Sequence, residues 1–566
     1  MTRPGRDAPP NMTDYEAERA SFRLDVPARF NFVLDVLERR AADTPDGLAL
    51  LSLDSTGAVS ARHSWAEMAK ESRRMGHALT AQGVGKGDPV FLMMPRIPEW
   101  YVAALGAIRI GAIPMPGTSL LTAKDIAYRI RQAGAVAAIT DSDAAAKVDA
   151  AGDLPTLQQR IVVGEAPSKG WTQLPALLGP ASTDPTPADP TAGTDPMLLY
   201  FTSGTVSHPK MVMHNQSYAL GHTITARYWQ DLREGDVSWA VSDMGWAKAA
   251  WGKLFGQWIQ GATVVLMNMG KPDADLILDT IARNGVTTFC APPTLYRMLV
   301  QADIKAHDLS GLRHCVSAGE PLNPEVIRIW EEGTGGLTPY DGYGQTETVN
   351  LVANYRCLPV RPGSMGKPTP GFDVQVVDDS WQPVAAGEEG HIAVRVAPPF
   401  SGDTPAPPGR PVGMFGGYYQ DDDATAAAFQ GGWYLTGDKA RRDEDGYFWF
   451  EGRSDDVITS SAYRIGPFEV ESALIEHPAV AEAAVVGKDD PDRTQLVCAF
   501  VICAPGYEGS RELAVALQDH VKRSTAPYKY PRLVYFVDEL PKTVSGKIRR
   551  TELRDRLRAG EVPDPE

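Results

Sequence analysis

The chain has 566 residues, with 55 Lys+Arg against 71 Asp+Glu and a formal net charge of −16. That length suits about three or four domain-sized units, or one large domain and a smaller one. A hydrophobic content of 43% and a charged content of 22% argue against disorder, and the acidic balance argues against bulk nucleic-acid binding. The five cysteines, Cys290, Cys315, Cys357, Cys498 and Cys503, are scattered and form no C-x-x-C. They read as reduced core thiols of a cytoplasmic protein. The N-terminus lacks the apolar core of a secretory signal. The longest apolar stretch, 101–115, is short and broken by Arg109, so no membrane span is expected.

In chain order, residues 1–28 are polar and are expected to be loose. Helical periodicity follows at 32–37 and again at 65–79, and Gly83 to Asp88 is turn chemistry. A buried strand at 90–94, a helix at 100–110 and a strand at 136–140 predict parallel sheet in α/β layers. The Pro/Thr/Asp-rich stretch 179–196 is an irregular connection, followed directly by a strand at 197–201. Further strands are expected at 262–266, 287–290 and 312–316. A helix at 324–332 has Asn323 as N-cap and Pro324 at its first position. From about residue 370 the period changes to two. Stretches 372–377 and 391–396 alternate, and Asp445-Gly446 joins 439–441 to 447–450 as a hairpin, so antiparallel β is expected there. After Arg453 the chain reads as a separate α+β unit, with helices at 467–475 and 511–521 and strands at 481–486 and 496–501. The expected plan is a loose segment 1–28, a body 29–454 and a C-terminal domain 455–566.

Five motifs carry chemistry. The first, Thr202-Ser203-Gly204-Thr205 through to Lys210, is a hydroxyl- and glycine-rich loop leaving a strand. Its hydroxyls and backbone N–H groups suit phosphate oxygens, with Lys210 adding charge. It is not a Walker A loop. The second is Gly319-Glu320-Pro321. The third is Asp341-Gly342-Tyr343-Gly344-Gln345-Thr346-Glu347. Its glycines allow close approach to a planar ligand, Tyr343 can stack on a base, and Glu347 offers the hard oxygen that Mg²⁺ prefers. The fourth pairs Asp438 with Arg453 across a hairpin, a potential clamp for a ribose diol. The fifth is the basic run 541–550, which contains Lys547. Each motif alone also fits a tight turn or a solvated face.

Together, in this order and spacing, the five resemble the adenylate-forming superfamily of acyl-CoA synthetases, luciferases and peptide-synthetase adenylation domains. The stretches 30–32, 245–253, 463–467 and 526–532 are similar to those of medium-chain acyl-CoA synthetases. The resemblance implies an α/β body with a distorted β-barrel portion and a small mobile α+β C-terminal domain. It also implies an ATP-dependent, AMP-forming ligase. Thr202, Ser203, Gly204, Thr205 and Lys210 would form the phosphate loop. Gly319, Glu320, Pro321 and Asp341 to Tyr343 would hold the adenine, and Gly344 and Gln345 would also bind the nucleotide. Thr346 would contact the α-phosphate, Glu347 would bind Mg²⁺, and Asp438 with Arg453 would hold the ribose. Lys547 would reach the carboxylate and α-phosphate. Asp455 would be the hinge. Ser461, Tyr463, Arg464, Arg493 and Lys522 would hold CoA, and Trp246, Lys248 and Trp251 would shape the acid pocket.

Three positions depart from the family pattern. Val206-Ser207 replaces the small hydroxyl residue and glycine of the phosphate loop, Ala462 replaces a glycine beside the pantetheine path, and Thr494 replaces another after Arg493. Each adds atoms where the family leaves room. The leading expectation is a medium-chain, branched or aromatic acid–CoA ligase. The alternative is a relative with a non-CoA acceptor, such as an ATP-dependent diazotase activating nitrite for an arylamine, or an amide-forming ligase. A non-catalytic nucleotide binder conflicts with the presence of Lys547, Glu347, Asp438 and Arg453. Nothing in the residues specifies an oligomeric state.

Overall fold

The computed structural model describes residues 5–185, 191–202, 209–396, 410–454, 456–461, 463–491, 493–543 and 547–562, with only the backbone of Arg464. The body is built on two sheets with parallel cores. In one, Leu48–Leu53, Thr263–Met267, Val237–Ala240, Thr288–Ala291, His314–Ala318 and Pro339–Tyr343 run parallel, with antiparallel strands at both edges. In the other, Ile113–Pro116, Pro89–Met93, Ala137–Asp141, Gln159–Val163 and Thr172–Gln173 are all parallel. Pro89–Met93 and Thr263–Met267 are buried along their whole length. That is what continuous apolar strands covered on both faces require.

The helices obey local chemistry. Ser64 and Glu67 form a capping box on Trp65–Ala81. Pro324–Thr334 starts with Asn323 accepting from Glu325 N and ends on Gly335 in the left-handed region. An antiparallel sheet follows, made of Val374–Val377, Glu389–Arg395, Trp433–Arg442, Phe429–Gln430 and Phe448–Arg453. This is the expected barrel-like portion. Beyond residue 456, strands Ile458–Ser460, Tyr463–Ile465, Val480–Asp490, Thr494–Cys503 and Leu533–Phe536 form a separate sheet. It has its own core around Val470, Leu474, Val485, Val497, Leu517 and Val521.

The N-terminal stretch differs from expectation. Residues Tyr15–Ser21 form a helix capped by Asp14, and Met12 and Tyr15 are buried. The Tyr15 hydroxyl donates to Pro368 O at 2.7 Å. Arg6 donates to the carbonyls of Leu309, Leu312 and Thr334, and Asn11 N donates to Asp231 Oδ1. Polar side chains anchored on backbone carbonyls leave no hydrophobic period to read, so the segment looks loose in sequence while it is packed in the fold. Asp231 belongs to a buried charge cluster with Arg313 at 2.5 Å and Arg356 at 2.7 Å; Arg313 also pairs with Asp236 at 2.7 Å.

Candidate active site

The first motif lies on a hairpin between Pro196–Phe201 and Met211–Asn215. Its base is closed by Thr202 N donating to Lys210 O at 3.0 Å and Lys210 N donating to Thr202 Oγ1 at 3.1 Å. Ser203, Gly204 and Thr205 lie outside the described residues, as do Val206 and Ser207. The second and third motifs leave the carboxyl ends of adjacent parallel strands, where Ser317 pairs with Asp341 and Ala318 with Gly342. The crevice outside the carboxyl ends of such strands is the usual ligand position. Gly319 has φ +114°, and a Cβ there would lie 2.1 Å from Lys248 Nζ. A Cβ on Gly344 would lie 2.4 Å from the Trp251 ring. Only glycine lets these two loops pass so close to the helix behind them.

Asp438 and Arg453 are direct cross-strand partners, with Arg453 Nη1 3.2 Å from Asp438 Oδ1. Asp438 is 5% exposed. Its Oδ2 accepts from the Tyr343 hydroxyl at 2.6 Å and from Gln345 Nε2 at 2.7 Å. The Tyr434 hydroxyl in turn donates to Gln345 Oε1 at 2.8 Å. The adenine-side and ribose-side candidates are thus one connected network.

At the other end, Lys210 Nζ stands 4.6 Å from the centroid of the Tyr418 ring. The Tyr418 hydroxyl donates to Glu347 Oε1 at 2.9 Å. Burial holds the Glu347 carboxyl above the usual carboxylate range. His214, kept neutral by burial with a pKa pushed down to about 3, donates from Nε2 to Thr346 O at 2.8 Å. Burial pushes the Asp341 carboxyl up to about 8. Burial first, and then the charge of Lys547, push the Lys248 amine down to about 8. Lys248 Nζ stands beside Gly319, and Lys547 lines the same cleft as Gly319. A cleft of about 730 Å³ is lined by Thr202, Lys210, Gly319 to Pro321, Asp341 to Glu347, Asp438, Arg453 and Lys547 together. Its size suits a nucleotide plus a small acid.

The AMP-binding enzyme model matches residues 37–402, and the AMP-binding enzyme C-terminal domain model matches 469–547. The chain belongs to the AMP-binding enzyme family. It is 44% identical to the mitochondrial acyl-coenzyme A synthetase ACSM3 of Mus musculus, over 96% of this chain and 94% of that one. It is 45% identical to the mitochondrial acyl-coenzyme A synthetase ACSM5 of Homo sapiens, over 94% and 91%. Among solved structures, it is similar to the anthranilate CoA ligase AuaEII in complex with anthranoyl-AMP. The TM-score is 0.85 and the identity 32%, covering 95% of this chain and 99% of that one. It is also similar to a Brucella canis acyl-CoA synthetase, at a TM-score of 0.73 and 35% identity, covering 97% and 100%. As a member of this family the chain is an AMP-forming ligase.

Within this AMP-binding enzyme not every expected residue meets the cleft. Lys248 and Trp251 pack against the backbone of Gly319 and Gly344, two glycines that line the cleft, and Trp246 is the N-cap residue of their helix, Ala247–Gly252. Trp251 is buried, with its ring 6.1 Å from that of Trp229. The CoA candidates lie away from the cleft. Tyr463 stacks on Tyr528 at 4.0 Å, Ser461 N donates to Arg493 O at 2.6 Å, and Lys522 Nζ stands 4.4 Å from the Tyr530 ring centroid. Asp455, Ala462 and the Arg464 side chain are outside the described residues. Thr494 has φ +67°, a conformation costly for a β-branched residue. Sequence reasoning missed Tyr418, which links Lys210 to Glu347, and gave Tyr434 no role. Tyr418 follows a Gly-Gly pair after an irregular loop, and no periodicity or charge marks it. Among the described residues, no helix is long and apolar enough to cross a membrane.

Proposed function

We propose that the chain activates a small carboxylic acid with ATP and passes the acyl group to CoA, acting as a medium-chain, branched or aromatic acid–CoA ligase. The observation that carries this reading is the convergence of Lys210, the Asp438–Arg453 pair and Lys547 on one cleft. The relatives add weight, being named acyl-CoA synthetases and an aromatic-acid CoA ligase. They do not favour nitrite activation or amide formation.

In the first step a carboxylate oxygen attacks the α-phosphorus. The bond to the β-phosphate oxygen breaks, and pyrophosphate leaves with its electron pair. Two anions must meet, so the barrier falls mainly through positioning and charge stabilisation. The 202–210 loop, with Ser203, Gly204 and Thr205, would hold the phosphates, and Thr346 would contact the α-phosphate. Gly319 to Pro321 and Asp341 to Tyr343 would hold the adenine, Gly344 and Gln345 would also bind the nucleotide, and the pre-aligned Asp438 carboxylate with Arg453 would take the ribose hydroxyls. Lys547, which lines the cleft, would receive the carboxylate. Magnesium is commonly held by one or two carboxylates plus nucleotide phosphates, and Glu347 offers that carboxylate. When bound it supplies charge neutralisation on the phosphates.

In the second step the CoA sulfur attacks the acyl carbonyl and AMP leaves. Lys547 would obstruct that approach, so the reading includes rotation of a C-terminal domain, 455–566, against the body 29–454 about Asp455. CoA would meet Ser461, Tyr463, Arg464, Arg493 and Lys522. The acid would lie beside Trp246, Lys248 and Trp251. A cytoplasmic setting belongs to this proposal and rests on five cysteines that form no disulfide; the vertebrate relatives are named as mitochondrial. The test is acid-dependent pyrophosphate release across a carboxylate panel, with Lys547→Ala as control. No release with any carboxylate would sink the reading.

A further inference from the structure

Lys547 sits on a short hairpin. Thr543 N donates to Lys547 O at 2.7 Å, Lys547 N donates to Thr543 Oγ1 at 3.1 Å, and Arg549 N donates to Pro541 O at 2.8 Å. An ion pair pins each stem. Before the lysine, Lys542 meets Glu482 at 2.8 Å. After it, the Arg550 guanidinium donates from Nη2 to both Glu471 oxygens, at 2.8 and 2.7 Å, and from Nε to Oε1 at 3.2 Å. Arg550 Nη1 is also 3.7 Å from Asp456 Oδ2, and Asp456 takes Arg554 at 2.5 Å. Glu471 is buried, and its Oε1 accepts from Val485 N at 2.8 Å.

This arrangement does not serve the helix it belongs to. Arg550 is the first residue of Arg550–Arg558, and a cation at a helix N-terminus opposes the helix dipole. A buried ion pair is also weak evidence for stability, since apolar replacements often do as well. What a forked, fully hydrogen-bonded pair supplies is fixed geometry. Asp456, Glu471, Arg550 and Lys547 all line the same cleft. Asp456 directly follows the proposed pivot, Asp455.

We infer that Glu471 and Asp456, acting through Arg550, are positioning residues. They fix the pose in which Lys547 enters the cleft and tie the lysine to the chain beside the pivot, so that it is delivered and withdrawn with the domain as one piece. The inference rests on the role proposed for Lys547 above. Neither carboxylate touches the reacting atoms.

The test separates the half-reactions. Glu471→Gln keeps size and an acceptor for Val485 N but loses the charge that grips Arg550. Acid-dependent ATP–pyrophosphate exchange should fall about 10- to 100-fold in kcat, the scale of a small misplacement. The KM for ATP should stay within about twofold, because the nucleotide contacts lie on the body. Thioester formation from supplied acyl-adenylate should be unchanged. Arg550→Lys, which keeps the charge and loses the fork, should fall in between. On a Lys547→Ala background, Glu471→Gln should cost nothing further, since residues acting through one group are not additive. Equal loss in both half-reactions, a full additional loss on that background, or wild-type exchange in Glu471→Gln would each overturn the inference. Wild-type exchange in Lys547→Ala would instead overturn the underlying reading.

Discussion

The two walls of the cleft are built differently. On the body side, Asp438, Tyr343, Gln345 and Tyr434 hold one another through hydrogen bonds of 2.6 to 2.8 Å. Those groups fix one another in place, and preorganised polar groups cost nothing to align at the moment of reaction. On the C-terminal side a single lysine is presented on a hairpin pinned by Lys542–Glu482 and Arg550–Glu471. The body wall is suited to keep the nucleotide through both half-reactions. The opposite wall is suited to bring the Lys547 ammonium in and take it away again.

Lys547→Ala should break this contrast most strongly. Adenylation is expected to fall about 100- to 1,000-fold, the scale of losing one preorganised charge partner. Thioester formation from supplied adenylate should persist, and assays of the two half-reactions would show the split. On the body wall, Asp438→Ala should raise the KM for ATP about 10- to 100-fold, because it strips Tyr343, Gln345 and Arg453 of a charged partner. Its effect on kcat should be smaller, and steady-state kinetics would report both values.

Lys253 sharpens the contrast from behind the body wall. Among the described residues its ammonium nitrogen is buried without a hydrogen-bond partner, whereas both Nη atoms of Arg313 pair with Asp231 and Asp236. Burial, then the nearby Arg96 charge, push it down to about 7. The unfolded chain holds that proton more tightly, so the cost to stability is full below pH 7 and fades as pH rises towards the ordinary lysine value. Lys253→Met should therefore stabilise the fold by about 1–3 kcal/mol at or below pH 7. The gain should shrink by pH 9, as denaturant midpoints at the two pH values would reveal. The smallest effect is expected in the C-terminal domain, where Thr494→Gly relieves a φ of +67°. A gain of up to about 1 kcal/mol is expected, and a lowered thermal midpoint would contradict it.

Much of the site was legible because its chemistry is local. The hairpin turn at Asp445-Gly446 implied that Asp438 and Arg453 face each other, and their register pairs them directly. Strands such as Pro89–Met93 were visible as unbroken apolar runs. Contacts made by polar side chains over long separations were not legible. Arg6 reaches carbonyls more than 300 positions away, Tyr418 meets Glu347 across 71 positions, and Arg550 meets Glu471 across 79. None of these leaves a period or a motif. Lys248 and Trp251 were expected at the acid pocket, but only the backbone of Gly319 and Gly344 reveals how closely they approach the cleft.

The most direct test of the account is to measure pyrophosphate release and thioester formation together, with and without CoA, across carboxylates and against nitrite plus an aminobenzoate. The account predicts carboxylate-dependent pyrophosphate release, with one acyl-CoA formed per pyrophosphate when CoA is present. Turnover with nitrite and the arylamine alone, independent of CoA, would contradict it.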